Sequence, residues 1–202
     1  MTGDFHEKLA CKRKKRQQQR LFAGVVILVG IFLTAGIFFK CEYVQKKYMY
    51  PYPHQEIIRQ YAEKYQVEAP LVAGVIMSES KFQNEVHSHR GAIGLMQLMP
   101  ETAEWISEQL EISYDKEKLH EPEMNIRLGT WYLASLKQEF KGNEILMLAA
   151  YNAGRGNVRS WMEEYGWDTS FTDIREIPFA ETREYVQNVL KNKEHYKLLY
   201  GQ

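Results

Sequence analysis

The sequence predicts a mostly α-helical domain carried behind a single membrane-spanning helix, and three observations predict it. Residues 21–39 contain no charged side chain. Beyond residue 53 the apolar side chains recur at helical spacing, with prolines where helices can start and glycines where they tend to stop. The alternation that marks half-buried strands is scarce. The 202 residues have room for one such domain plus an appendage, with enough aliphatic and aromatic content for a packed core.

Taken in order, residues 1–20 hold seven Lys or Arg against Asp4 and Glu7, whereas residues 41–202 hold 18 basic and 24 acidic side chains. The zero formal net charge thus hides a split along the chain. A basic cluster beside an apolar run is a topology signal rather than a nucleic-acid site, and it predicts a cytoplasmic amino terminus. As a helix, residues 21–39 would span about 28 Å, close to a bilayer's hydrocarbon thickness. A cleaved signal peptide is the rival reading, but the run exceeds the usual apolar region and no convincing small-x-small site follows. Residues 21–39 are therefore expected to be an uncleaved, single-pass anchor in the cytoplasmic membrane, with the rest of the chain on its extracytoplasmic side. Cys11 and Cys41 would then lie on opposite sides, so no internal disulfide is expected. Residues 40–53 carry Tyr43, Tyr48, Tyr50 and Tyr52 with Pro51 and Pro53, and are expected to form a short, extended stalk near the bilayer interface.

The domain is expected over 54–202, with helices at 54–66, 70–82, 100–110, 122–139, 144–153, 156–165 and 179–197. Pro70, Pro100 and Pro122 fall where a first-turn proline is tolerated, and Gly142, Gly154 and Gly166 where helices end. Residues 84–94 and the acidic stretch 111–121 are expected as loops.

Glu79 closes the apolar run Pro70-Leu-Val-Ala-Gly-Val-Ile-Met-Ser78. Val72, Val75 and Ile76 lie seven, four and three residues before it, so on a helix they share its face and carry its carboxyl toward the core. Burial raises an acid's pKa, which suits a group that must deliver a proton near neutral pH. An ordinary helix-end Glu turned to water is the alternative that the helix alone leaves open.

The surrounding segments decide it. Glu79-Ser-Lys-Phe82, then Ser88, Gly91-Ala-Ile-Gly-Leu-Met-Gln-Leu-Met-Pro100 and Thr102-Ala103, followed in order by Asn125-Ile-Arg-Leu-Gly-Thr-Trp-Tyr-Leu133, Leu148-Ala-Ala-Tyr-Asn-Ala-Gly-Arg-Gly-Asn-Val158 and Ile177-Pro-Phe-Ala-Glu-Thr-Arg-Glu-Tyr-Val186, resemble the lytic transglycosylase domain of the soluble-lytic-transglycosylase (SLT) type. The resemblance spans roughly residues 55–199 and implies a goose-lysozyme-like helical fold. It also implies cleavage of the β-1,4 bond between N-acetylmuramic acid and N-acetylglucosamine in peptidoglycan, leaving a 1,6-anhydromuramyl end.

On that resemblance Glu79 is the catalytic acid. Ser88 resembles the family's serine near the acid or the N-acetyl group, with a turn-forming serine as the alternative. Gln97 and Met99 resemble groove residues, an amide for sugar hydroxyls and a thioether for a sugar face, with a plain core contact as the alternative for Met99. Tyr151 resembles the tyrosine whose hydroxyl bonds the catalytic carboxyl, simple packing being the alternative, with Asn152 beside it. Tyr132 and Glu181 are candidates for the floor and wall of the groove, a salt bridge being the alternative for Glu181. Trp105, Trp131 and Trp161 could stack on sugars, but at helical spacing with other apolar residues each is more often core. The chain departs from the family at Gln83-Asn84, where Asn-Pro is common, and at Arg155, where proline is frequent.

Glycoside cleavage normally takes an acid and a second carboxylate. Glu85 and Glu101 are nearest in sequence to Glu79, but one sits in a polar loop and the other in a helix's first turn, where it meets the dipole. A single acid suffices if the substrate supplies its own nucleophile. The competing readings are a muramidase that uses water, and a catalytically silent wall-binding scaffold within a secretion, conjugation or sporulation assembly. His87 and His89 without a third ligand make a weak metal site. No glycine-rich phosphate loop ending in Lys-Ser/Thr occurs, so neither metal nor nucleotide cofactor is expected.

Overall fold

The computed structural model describes residues 21–201 except 27, 33, 35 and 39, so the basic segment 1–20 lies outside the described residues. The chain divides into two compact units, residues 1–49 and 50–202. In the first, Leu21–Phe38 is a helix long and apolar enough to cross a membrane. After it the chain makes a short helical turn, Glu42–Val44, and a π-helical turn, Gln45–Met49, where an extended spacer was expected.

Among its described residues the second unit holds seven α-helices and two 3-10 turns. The helices are α1 (Gln55–Tyr65), α2 (Ala69–Glu79), α3 (Pro100–Gln109), α4 (Pro122–Glu139), α5 (Glu144–Ala153), α6 (Arg155–Tyr165) and α7 (Ala180–Tyr200). Proline opens α2, α3 and α4 within the first turn, where its missing N–H removes no helical bond. Asn143 caps α5, its side chain accepting from Leu146 N at 3.0 Å.

Helix α2 is apolar on nearly every side, and Leu71 through Ile76 are all buried. A helix with no polar face must be surrounded. Its most extensive partner is α7. Gly74 permits the approach: a Cβ there would stand 2.9 Å from Lys193 N and 3.0 Å from Val189 O. Asn192 ties the same pair together by donating to Ser78 Oγ at 3.0 Å. Lys193, nearly buried, donates to Glu68 at 2.9 Å and Glu144 at 2.6 Å, drawing the start of α5 and the residue before α2 onto α7.

Helix α2 ends at Glu79, three residues short of the helix predicted over 70–82. Lys81 and Phe82 both adopt left-handed backbone, at φ 51° and 62°. That conformation is unfavourable for side-chain-bearing residues. It is offset by dropping Phe82 into an aromatic cluster beside Tyr52 (6.4 Å) and Tyr196 (6.0 Å), a burial that stabilises by about 2 kcal/mol. Residues 50–53 belong to this cluster too. Tyr196 and Tyr200 donate to the carbonyls of Pro51 and Tyr50, each at 2.8 Å, and the Tyr50 ring stacks on His195 at 4.4 Å.

A second, smaller core gathers Ile93, Leu98, Ala103, Ile106, Leu119 and Leu128 around α3 and the start of α4. Asn125, fully buried, pins the turn over residues 91–98 to it. Its amide donates to Ile93 O (3.0 Å) and Leu119 O (2.8 Å), and its carbonyl accepts from Met96 N (2.7 Å). Gly94, at φ +78°, is required there: a Cβ would overlap Asn125 and stand 2.6 Å from Leu119 O. Tyr132 and Tyr151 pack against both cores.

Candidate active site

Where the turn over 88–97 meets the ends of α2 and α5 and the start of α7, a cavity of about 580 Å³ opens to solvent. Glu79, Ser88, Gln97, Met99, Tyr151, Asn152 and Glu181 line it, so seven of the eight residues singled out in the sequence come together. Tyr132 does not. Its ring stands 5.5 Å from Tyr151 and 6.3 Å from Trp105, so it supports Tyr151 from behind rather than forming the floor.

Glu79 reaches the cavity because α2 stops there and the left-handed turn carries the chain away. Val72, Val75 and Ile76 on its face are fully buried. Burial raises the pKa of its carboxyl, the neighbouring Tyr185 hydroxyl lowers it, and the charge of Glu181 raises it, leaving it at about 7. An acid raised this far toward neutrality is able both to give and to take a proton.

The tyrosine beside the acid is not the expected one. Tyr151 donates its proton to Met96 O at 2.8 Å and so braces the turn, while burial and then the charge of Glu79 hold its phenol well above the ordinary range. The hydroxyl acting on the carboxyl is that of Tyr185. It has no partner in strict hydrogen-bond geometry, yet it is close enough to Glu79 to ease the acid's ionisation. A buried phenol with nowhere else to donate will turn to the carboxylate whenever that forms. Tyr185 is legible only as the residue four after Glu181, on the same face of α7.

The polar side chains of the cavity are each partly committed. Ser88 Oγ accepts from Ala92 N at 2.9 Å, which closes the turn and leaves the serine's own proton free. Gln97 donates to Val86 O (2.9 Å) and Gly94 O (2.8 Å), so its amide nitrogen holds the loop and its carbonyl oxygen is left for a ligand. Asn152 accepts from Thr182 at 2.7 Å, leaving its amide hydrogens. Met99 is 36% exposed and Glu181 is exposed. Glu181 makes no ion pair among the described residues, and its water-screened charge still raises the pKa of Glu79. It is also a second carboxylate in the cavity, which neither Glu85 nor Glu101 supplies.

His89, Arg90 and Thr102 line the cavity as well and were not singled out as site residues. His87 packs instead on His120 at 4.6 Å, so the two loop histidines do not converge. Trp161 is core, in edge contact with Phe179 at 5.0 Å. Trp105 and Trp131 meet at 5.6 Å, with Arg155 at 5.2 Å from the Trp105 ring and paired to Glu139.

The family model described as Transglycosylase SLT domain matches residues 56–174, and that of the Soluble lytic transglycosylase helical domain matches 176–202. The soluble lytic murein transglycosylase of Escherichia coli K12 is 36% identical over 155 residues, 75% of this chain and 24% of that protein. A membrane-bound lytic murein transglycosylase C of Actinobacillus pleuropneumoniae is 29% identical over 208 residues, 91% of this chain and 54% of the relative. The crystal structure of the 70 kDa soluble lytic transglycosylase of Escherichia coli superposes with a TM-score of 0.70 at 34% identity, covering 76% of this chain and 25% of that one. An inactive mutant of the lytic transglycosylase Slt from Pseudomonas aeruginosa superposes with a TM-score of 0.68 at 35% identity, covering 77% and 25%. The chain spans about a quarter of the length of the soluble relatives.

Proposed function

This chain belongs to the transglycosylase SLT domain family, and on that footing we propose that it is a lytic transglycosylase of peptidoglycan. The observation that carries the reading is a single acid held at about 7 at the foot of an open cavity whose other polar groups keep free donors and acceptors. Protonated Glu79 gives its proton to the oxygen of the β-1,4 bond, and the bond to the muramyl C1 breaks. The sugar's 2-acetamido group stabilises the cationic centre. The carboxylate then takes the proton of the C6 hydroxyl as that oxygen bonds to C1, closing the 1,6-anhydro ring without consuming water. Tyr185 stabilises the carboxylate between these steps, and its acidity near neutrality lets one group serve both. Ser88, Gln97 and Asn152 position the acetamido and hydroxyl groups, with Met99 against a sugar face.

Glu181 gives the hydrolytic reading its one specific support, since a second carboxylate could activate water. Mass spectrometry of products from purified peptidoglycan separates the two, because an anhydro end is one water lighter than a reducing end. Anhydro ends retained by Glu181→Gln and lost in Glu79→Gln are expected; reducing ends from the unaltered protein would overturn the lyase assignment. A scaffold without catalysis predicts neither product.

The relatives named membrane-bound, together with the apolar helix Leu21–Phe38, support anchoring of the chain in the cytoplasmic membrane. The basic residues before that helix favour an inside amino terminus and a wall-facing domain. We assign residues 1–20 to the cytoplasm, 21–39 to the anchor, 40–53 to the connecting segment and 54–202 to the enzyme proper. Protease accessibility of intact protoplasts tests that orientation.

A further inference from the structure

Residues 88–91 form a tight turn, closed by Gly91 N to Ser88 O at 3.0 Å and reinforced by Ala92 N to Ser88 Oγ at 2.9 Å. His89 and Arg90 occupy its two central positions and are exposed, and both line the cavity that contains Glu79. The Arg90 side chain has no ion pair or hydrogen bond among the described residues, unlike Arg155, Arg159, Arg175 and Arg183, whose guanidinium groups are each committed to a carboxylate or a carbonyl. An uncommitted guanidinium on a rigid turn at the edge of a catalytic cavity is arranged to receive an anion, and its planar fork matches a carboxylate. The charge whose field reaches Glu79 is that of Glu181, not that of Arg90. Arg90 is thus placed to touch substrate without setting the acid.

Resting on the proposed action on peptidoglycan, we infer that Arg90, with His89 beside it, is a specificity subsite for a carboxylate of the substrate next to the scissile bond. Peptidoglycan offers carboxylates from two sources there, the free acids of the stem peptide and, on strands stripped of peptide, the lactyl group of the muramyl sugar. Glu79 and Glu181 line the same cavity, so the cationic turn also offsets the repulsion an acidic substrate would otherwise meet.

The test is steady-state turnover of the full chain in detergent, comparing it with Arg90→Gln and Arg90→Lys. The substrates are peptide-bearing strands, the same strands with their stem carboxylates amidated, and peptide-stripped strands. Arg90→Gln is expected to raise KM on peptide-bearing strands about fivefold, as loss of a partly exposed charge pair does, with kcat and the pH profile unchanged. Arg90→Lys should recover part of it, and added salt should weaken the unaltered chain more than Arg90→Gln. A penalty that vanishes on amidated strands places the stem carboxylate in the subsite; one that appears only on stripped strands places the lactyl group there. Normal turnover with KM unchanged in Arg90→Gln on every substrate overturns the subsite alone. Absence of anhydro ends with the unaltered chain instead overturns the activity on which it rests.

Discussion

Glu181 and Tyr185 stand one helical turn apart on the same face of α7 and act on Glu79 with opposite sign, the carboxylate raising its pKa and the phenol lowering it. Burial outweighs the phenol, and the acid settles at about 7. One helix therefore adjusts, on top of burial, the protonation of a group that belongs to another.

Replacing Tyr185 by Phe removes the interaction that favours the carboxylate, so the falling alkaline limb of kcat/KM should move upward by up to about one pH unit. Glu181→Gln removes a repelling charge and should move the same limb downward, by less because Glu181 is exposed. Initial rates across pH 5–9 check both; two limbs that shift together, or not at all, would detach α7 from the acid.

Glu79→Gln should abolish turnover and also change stability in a pH-dependent way. The folded pKa of about 7 lies above the ordinary 4.5, so the native chain holds this proton more tightly than the unfolded one. Stability is consequently lost as pH rises from about 4.5 through about 7, and the loss persists above. The glutamine avoids it. Calorimetry should show similar melting for the two proteins near pH 4.5, and at pH 8 a variant more stable by about 2 kcal/mol, or about 4–8 °C.

Asn125→Ala should destabilise by about 2–4 kcal/mol, because it leaves Met96 N, Ile93 O and Leu119 O buried without their partner. Urea unfolding measures this. Activity should fall further than stability alone requires, since the released turn carries Ser88 and Gln97.

Alanine usually stabilises a helix interior relative to glycine, but Gly74→Ala should do the reverse. The new methyl would meet backbone of α7, at Lys193 N and Val189 O, which cannot swing aside as a side-chain tip can. A cost of about 1–3 kcal/mol is expected from overpacking, seen as a lower denaturation midpoint.

The helices were legible because their signals are local. Pro122 and Gly142 bracket α4, and Gly142 and Gly154 bracket α5, with apolar spacing between. The stop of α2 at Glu79 was not, because it depends on Phe82 finding Tyr52 and Tyr196, contacts no local pattern encodes. The residues that gather at the cavity followed from the resemblance and not from spacing, apart from Glu79, whose apolar helical face already carried it inward. Tyr185 and Asn125 escaped notice despite lying within the quoted blocks, since a buried phenol and a buried amide reveal themselves only by what distant chain brings to them.

The grip of Tyr196 and Tyr200 on the carbonyls of Pro51 and Tyr50 has a mechanical consequence. Traction on the chain ahead of residue 50 is borne first by α7 and, through Tyr52, by Phe82, three residues past the acid. A taut leash would strain the proton donor's own foundation before unwinding any helix, so cutting rate under tension, read by optical tweezers, should fall while the domain stays folded.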